Sequence, residues 1–273
     1  LSGDLGPVRT VTEAAAAVLG SAEPATKAER SRRMASLWRA GELAVENGGP
    51  PMPDRPARPE RPELLPPGRM PRRRIGRGRA GRFALLHAVA HIEFNAIDLA
   101  WDLVGRFADG GLPDRFFADW IAVGDDEARH FMLVESRLRA LGGGYGDLPA
   151  HDGLWEAAAS TADDLLARLA IVPMVLEARG LDVTPDMIRR LDAAGDTGSA
   201  AVLRVIYEDE IGHVAAGRHW FEVIAGHRGL PPEETWQALV RERFRGGLKP
   251  PFNAEARDRA GFPERFWGPP AAS

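Results

Sequence analysis

The 273-residue chain carries 44% hydrophobic and 27% charged residues, ordinary proportions for a globular protein with one substantial core. Its formal charge of −4 gives no global attraction to nucleic acid or to an acidic membrane surface. It contains no cysteine, which excludes disulfides, thiolate nucleophiles, iron–sulfur clusters and Cys-ligated zinc, so any metal must be held by oxygen and nitrogen.

From the N-terminus, residues 12 to 46 read as helical, with Thr12 as a cap before Ala14–Leu19 and with Met34, Leu37, Trp38 and Leu43 at helical spacing. Prolines at 50, 51, 53, 56, 59, 62, 66, 67 and 71 then forbid a continuous helix. Ten arginines fall between Arg55 and Arg82, and the only lysines of the chain are Lys27 and Lys249. This arm reads as an extended segment packed on its own domain or on a neighbouring subunit. A basic surface for a phosphate-bearing partner is the alternative, without interleaved aromatics to support it.

Beyond residue 82 four long helices are expected, at about 83–107, 115–141, 154–180 and 198–226. Gly110, Gly111 and Pro113 separate the first pair; Gly142, Gly143, Gly144 and Pro149 separate the second helix from the third. Thr184 and Pro185 suggest a short extra helix before the fourth. A tail from Pro231 holds another short helix and then Phe252, Phe262, Phe266 and Trp267, expected to pack on the bundle. The expected organisation is all-α: N-terminal helices and arm (1–82), an antiparallel four-helix bundle (83–230), and a C-terminal helix and tail (231–273). No apolar run reaches the roughly 20 residues of a membrane span, and no basic segment followed by an apolar stretch opens the sequence. The expectation is therefore a cytoplasmic protein without a membrane partner.

Each long helix places a glutamate on its apolar face. Leu86, Ala90, Glu93, Ile97 and Val104 share one stripe; Phe116, Trp120, Val123, Glu127, His130, Val134 and Leu138 share the next. The third is Leu166, Ala170, Pro173, Glu177 and Gly180, and the fourth Leu203, Ile206, Glu210, His213, Gly217 and Phe221. A buried carboxylate without a counter-charge costs several kcal/mol, so four of them require a shared cation. Residues 126–130 and 209–213 both read D-E-x-x-H, which sets a carboxylate and an imidazole one turn apart on the same face. Glu93 precedes Glu127 by 34 residues and Glu177 precedes Glu210 by 33, so the chain holds two hairpins of one plan. Four glutamates and two neutral histidines balance two divalent ions, and oxygen with imidazole suits iron or manganese better than copper.

Asp126 and Asp209, one position before the ligand glutamates, are expected to support the histidines by accepting from the ring nitrogen that does not bind metal; pairing with Arg129 or another arginine is the alternative. Tyr207, one turn before Glu210, is placed behind the ligands, where it could serve redox chemistry, with a packing role as its simpler reading. His87 and His91 read as residues outside the ligand set, Asp98 and Asp102 as solvated or helix-pairing charges, and Trp101 and Trp120 as core.

At these residues the sequence resembles the ferritin-like di-iron carboxylate superfamily and, more narrowly, the bacterial family called domain of unknown function 455. GRFALLHAVAHIEFNAIDLAWDL, DDEARHF, YGDLPAHDGLW, VLEARGLDVTP and DEIGHVAAGRHWF carry the resemblance, which spans most of the chain, the arm included. It implies a ferritin-like four-helix bundle in which Glu93, Glu127 and His130 from one hairpin and Glu177, Glu210 and His213 from the other hold two iron ions, or a manganese–iron pair, with Glu127 and Glu210 bridging. Val134 stands where ribonucleotide reductase small subunits carry a radical tyrosine, and the cysteine-bound iron of rubrerythrins has no counterpart. The implied activity is a di-iron oxygenase or oxidase that uses O2 and an external electron donor to hydroxylate, desaturate or N-oxygenate a small organic substrate, in a monomer or homodimer. Iron oxidation or storage is one alternative. The other is a tRNA-modifying hydroxylase, for which Arg72, Arg73 and Arg74 would bind the nucleic acid.

Overall fold

The computed structural model describes residues 7–46, 48–70, 78–108 and 111–268. Arg72, Arg73, Arg74 and Gly110 lie outside the described residues. Among those described, the regular structure is helical and the β-structure is limited to two isolated bridges, so the chain is all-α. It divides into two compact units, residues 1–155 and 156–273.

The first unit begins with α1 (Val11–Leu19) and α2 (Pro24–Arg39), the helices read from residues 12 to 46, with α2 ending at Arg39 instead of running on to 46. Gly20 ends α1, and Glu23 opens α2 by accepting from the Thr26 N–H with Pro24 in its first turn. The cap of α1 is Thr10 rather than Thr12: its hydroxyl accepts from Glu13 N while the Glu13 carboxylate reaches back to Thr10 N, a reciprocal capping box. Gly41, at φ 72°, turns the chain out of α2.

The described residues of the proline arm are bound to their own unit. Ala57 N donates to Leu19 O at 2.8 Å, Leu65 N to Ala150 O at 2.8 Å, and Trp155 Nε1 to Asp54 O at 3.1 Å. Two of its arginines are engaged by acids of the unit, Arg55 by Asp152 and Arg58 by Asp98.

The core of this unit is the hairpin of α3 (Arg79–Arg106) and α4 (Asp114–Ala140), with α1 packed on α3 and α2 on α4. Covered from several sides, α3 is buried almost without interruption from Leu85 to Val104. Length and hydropathy alone would let α3 cross a membrane, but 78% of its apolar window is buried inside the protein. Asp98 and Asp102 are not solvated; both are fully buried in ion pairs. Asp98 receives Lys27 Nζ at 2.5 Å and Arg58 Nη1 at 2.8 Å, while Asp102 takes Arg106 one turn on at 2.7 Å. Burial pushes the Asp98 carboxyl up and the Lys27 ammonium down, each opposed by the other's charge. Trp101 and Trp120 are core as expected.

In the second unit the helix expected at 154–180 is broken. After α5 (Gly153–Ala159), Asp164 accepts from Leu166 N and Ala167 N and starts α6 (Leu165–Ile171). A π-helical turn, Val172–Glu177, leads into α7 (Ala178–Ala193). Thr184 and Pro185 do not begin a new helix, because α7 runs through them. A proline inside a helix deprives the carbonyl four residues earlier of its donor. That carbonyl is Leu181 O, and Asn253 Nδ2 of the tail donates to it at 3.1 Å. A partner remote in sequence thus supplies what proline removes.

α8 (Thr197–His227) packs on α7, α6 and the π-helical turn. Gly217 permits the closest approach: a Cβ there would lie 2.4 Å from Pro173 Cβ. The chain ends in α9 (Pro232–Arg243), α10 (Ala254–Arg259) and α11 (Glu264–Trp267). Phe262, Phe266 and Trp267 are buried in this unit, and Trp236 of α9 packs edge-on to Phe262 while its Nε1 donates to Ala170 O. Buried Arg257 clamps the tail to α7 with two hydrogen bonds to Asp182, at 2.9 and 2.8 Å.

Candidate metal centre

The stripes read from the α3 and α4 sequences are the faces these helices bury. Leu86, Ala90, Glu93, Ile97 and Val104 are buried on α3, and all seven expected positions from Phe116 to Leu138 are buried on α4. Glu127 and His130 have no exposed surface and Glu93 is 3% exposed. His130 Nδ1 lies 3.2 Å from Glu93 Oε2 and 3.3 Å from Glu127 Oε2. The ligand atoms of Glu93, Glu127 and His130 all fall within 4.8 Å of one another, a buried cluster that can hold a metal ion. Two donors bound at right angles about 2.1 Å from one ion stand about 3 Å apart, so both His130 contacts match shared coordination.

The backbone behind these ligands is held rigidly. Ser31 of α2 donates to Gly124 O at 2.7 Å, one turn before Glu127, and accepts from Trp101 Nε1 of α3 at 2.7 Å. Gly124 has to lack a side chain, since a Cβ would come 2.8 Å from that same Nε1. One hydroxyl therefore sets the spacing of three helices at the level of the site.

His87 and His91 bind the loop that follows α4. His87 Nε2 accepts from Gly146 N at 3.0 Å and Leu148 N at 3.3 Å, which requires that nitrogen to be unprotonated. His91 Nδ1 lies 2.8 Å from the Tyr145 hydroxyl and Nε2 2.9 Å from His151 O; the carbonyl can only accept, so Nε2 donates and Nδ1 receives the hydroxyl proton. Burial is the main reason His91 titrates low, at about 4, with the charges of Arg58, His151 and His87 acting in the same direction and the bond to His151 O opposing. Burial likewise pushes the Tyr145 phenol up. The Tyr145 ring packs on Phe94 and Phe131, the sequence neighbours of Glu93 and His130, at 5.3 and 5.4 Å between centroids. Tyr145 was not singled out as a site residue from the sequence, although it opens the stretch YGDLPAHDGLW.

The second unit carries the other set. Leu203, Ile206, Glu210, His213, Gly217 and Phe221 are buried on α8 as expected, with His213 Nδ1 3.7 Å from Glu210 Oε2. That distance is also within the span of two donors on one ion. Glu177 is half-buried and is the last residue of the π-helical turn. Such turns inside α-helical stretches are frequent at functional sites, and periodicity over residues 166–180 does not foretell one. The Pro173–Gly217 contact sets this turn against α8, one helical turn before Glu177 and one after His213.

Of the residues placed behind the ligands, Asp126 is partly exposed and pairs with Arg129 at 3.0 Å, the alternative weighed from the sequence. Asp209 is half-buried on α8. Tyr207 turns to the tail: its hydroxyl accepts from Asn253 Nδ2 at 3.1 Å, in keeping with the packing role.

A family model described as "Protein of unknown function (DUF455)" matches residues 20–268. An uncharacterized protein of Haemophilus influenzae is 41% identical over 204 residues, covering 73% of this chain and 70% of that protein. No solved structure matches the chain.

Proposed function

Since the chain belongs to the DUF455 family, whose description names no activity, its function has to be read from its site, and we propose that it is a non-haem di-iron oxidoreductase acting with O2 on a small organic molecule. The observation that carries this is the convergence of Glu93, Glu127 and His130 in the first unit, together with the same D-E-x-x-H arrangement on α8 of the second. In this reading Glu93, Glu127 and His130 form one ligand set and Glu177, Glu210 and His213 the other. The kinship with ferritin-like di-iron proteins belongs to the same proposal.

The donors fit the ions. Carboxylate oxygen and imidazole nitrogen favour iron or manganese, and four carboxylates offset the charge of two divalent ions. When bound, two irons supply electrons to O2 and act as Lewis acids toward the oxygen they reduce. The chain's own contribution is to hold the ligands in place and keep water away. Fully buried Glu127 and His130 sit in a dry environment, where electrostatic interactions are stronger than in water. The Trp101–Ser31–Gly124 bridge fixes the ligand helices, and the Tyr145 loop closes over Phe94 and Phe131. Reducing equivalents are proposed to come from a separate donor protein, and the setting is proposed to be the cytoplasm.

Metal-free protein loaded with ferrous ion without oxygen is expected to bind two irons per chain. Admitting O2 should then give oxygen uptake faster than that of the same amount of free ferrous ion. Absence of bound iron would remove the metal centre. Iron bound without faster uptake would remove the oxidase reading, and a cage-sized particle in size-exclusion chromatography would favour storage.

A further inference from the structure

The second unit contains a cavity of about 150 Å³ beside the π-helical turn, lined by Val175, Arg179, Leu248, Lys249, Phe252 and Arg257 among others. We infer that it is a binding site for a monocyclic aromatic carboxylate, a molecule the size of benzoate. The site lies within the second unit alone and does not depend on the metal reading.

Size comes first. A void near 150 Å³ accepts one benzene ring. Val175 and Leu248 supply apolar wall, and Phe252, itself packed on Trp267, adds aromatic surface.

Charge selects the other end of the ligand. Arg179, Lys249 and Arg257 line the cavity against a single acid, Asp182, leaving an excess of positive charge. Asp182 is itself occupied: it takes Nε and Nη2 of Arg257 and the Asn253 N–H. Arg179 Nη1 donates to Lys249 O and Pro251 O, which ties the cavity's loop to α7. Arg257 is 2% exposed and its guanidinium lies against the rings of Phe252, Phe262 and Trp267, 5.2, 5.4 and 5.0 Å from their centroids, so its charge acts on the cavity from behind this aromatic wall. Arg179, whose side chain is 40% exposed, lines the cavity and offers a charged donor to a carboxylate there. Lys249 is exposed and adds a second positive charge that a ligand meets without displacing any partner seen in the structure. A neutral ring would fill the apolar part without meeting the positive charge of Arg179 and Lys249.

The test is isothermal titration of benzoate, and separately of benzyl alcohol, into the metal-free full-length chain. Benzoate should bind saturably at one site, weaken with added salt, and bind at least about tenfold more tightly than the alcohol. Lys249→Glu should weaken benzoate about tenfold, and Leu248→Trp, which fills the cavity from its loop, should abolish binding. Both positions are on the loop beyond α9, so unchanged far-UV circular dichroism and melting temperature are expected and separate lost binding from lost folding. Arg257 is left intact because its clamp on Asp182 holds the tail. No saturable binding at millimolar benzoate, equal affinity for the alcohol, or wild-type affinity in both folded variants would overturn the inference. Iron loading plays no part in any of these outcomes.

Discussion

Gly217→Ala tests whether the approach of α8 to the π-helical turn is as close as the structure has it. The new Cβ would stand 2.4 Å from Pro173 Cβ and 2.5 Å from Cγ. Carbon atoms in comfortable contact are about 3.5–4.0 Å apart, so relief requires a shift of more than about 1 Å. Pro173 cannot provide it by changing rotamer, since its ring is closed on the backbone, so the two backbones have to part. Overpacking of this kind costs about 1–3 kcal/mol, against a gain of at most about 1 kcal/mol from replacing a mid-helix glycine. For a chain of this size the overpacking cost corresponds to a melting temperature roughly 2–12 °C below that of a variant that has only the propensity gain. Gly212→Ala is the control on the same helix: nothing lies within 4 Å of the added Cβ, so only the helix-propensity gain remains. Thermal unfolding followed by circular dichroism should move in opposite directions for the two variants. A Gly217→Ala protein as stable as the Gly212→Ala control would refute the contact and, with it, the placement of the turn that carries Glu177.

Asp98→Leu leaves the buried Lys27 ammonium facing the Arg58 guanidinium without their shared carboxylate. A loss of about 3–5 kcal/mol in urea unfolding is expected, and a change within error would show that the triad is not dry. His91 brings a pH dependence: held at about 4 by burial, it stays neutral while the unfolded chain takes up a proton near 6.5. Its contribution is therefore complete above that value and is lost as pH falls toward 4, roughly 3 kcal/mol in all. His91→Gln should flatten the acid side of the stability profile, whereas a profile parallel to that of the wild type would refute it. Glu127→Ala should retain about half the iron of the wild type or less by elemental analysis, since a bridging carboxylate serves both ions. Undiminished stoichiometry would count against that role.

Much of the candidate site was legible because it is periodic. Glu127 and His130 fall on the buried stripe of α4, Glu210 and His213 on that of α8, and the i, i+3 spacing sets each pair on one face. Local grammar was less dependable. Pro185 looks like a helix start until Asn253, far along the chain, is seen donating to the carbonyl that proline leaves bare. Lys27, which the sequence marks only as one of two lysines, has no exposed surface, because Asp98 and Ala57 O receive it. His87 and His91, adjacent to Glu93 in sequence, hold the Tyr145 loop instead of extending the ligand set.

By itself the sequence determined an all-helical chain and the buried faces of α4 and α8 that carry acid and imidazole, because helical periodicity is a property of consecutive residues. Only the tertiary structure decided that Glu177 ends a π-helical turn, that Asp98 and Asp102 are buried, and that a basic cavity lies beside that turn. Those features are made by groups tens of residues apart, and the free energy of a buried charge or a close glycine contact is set by whichever group arrives opposite it.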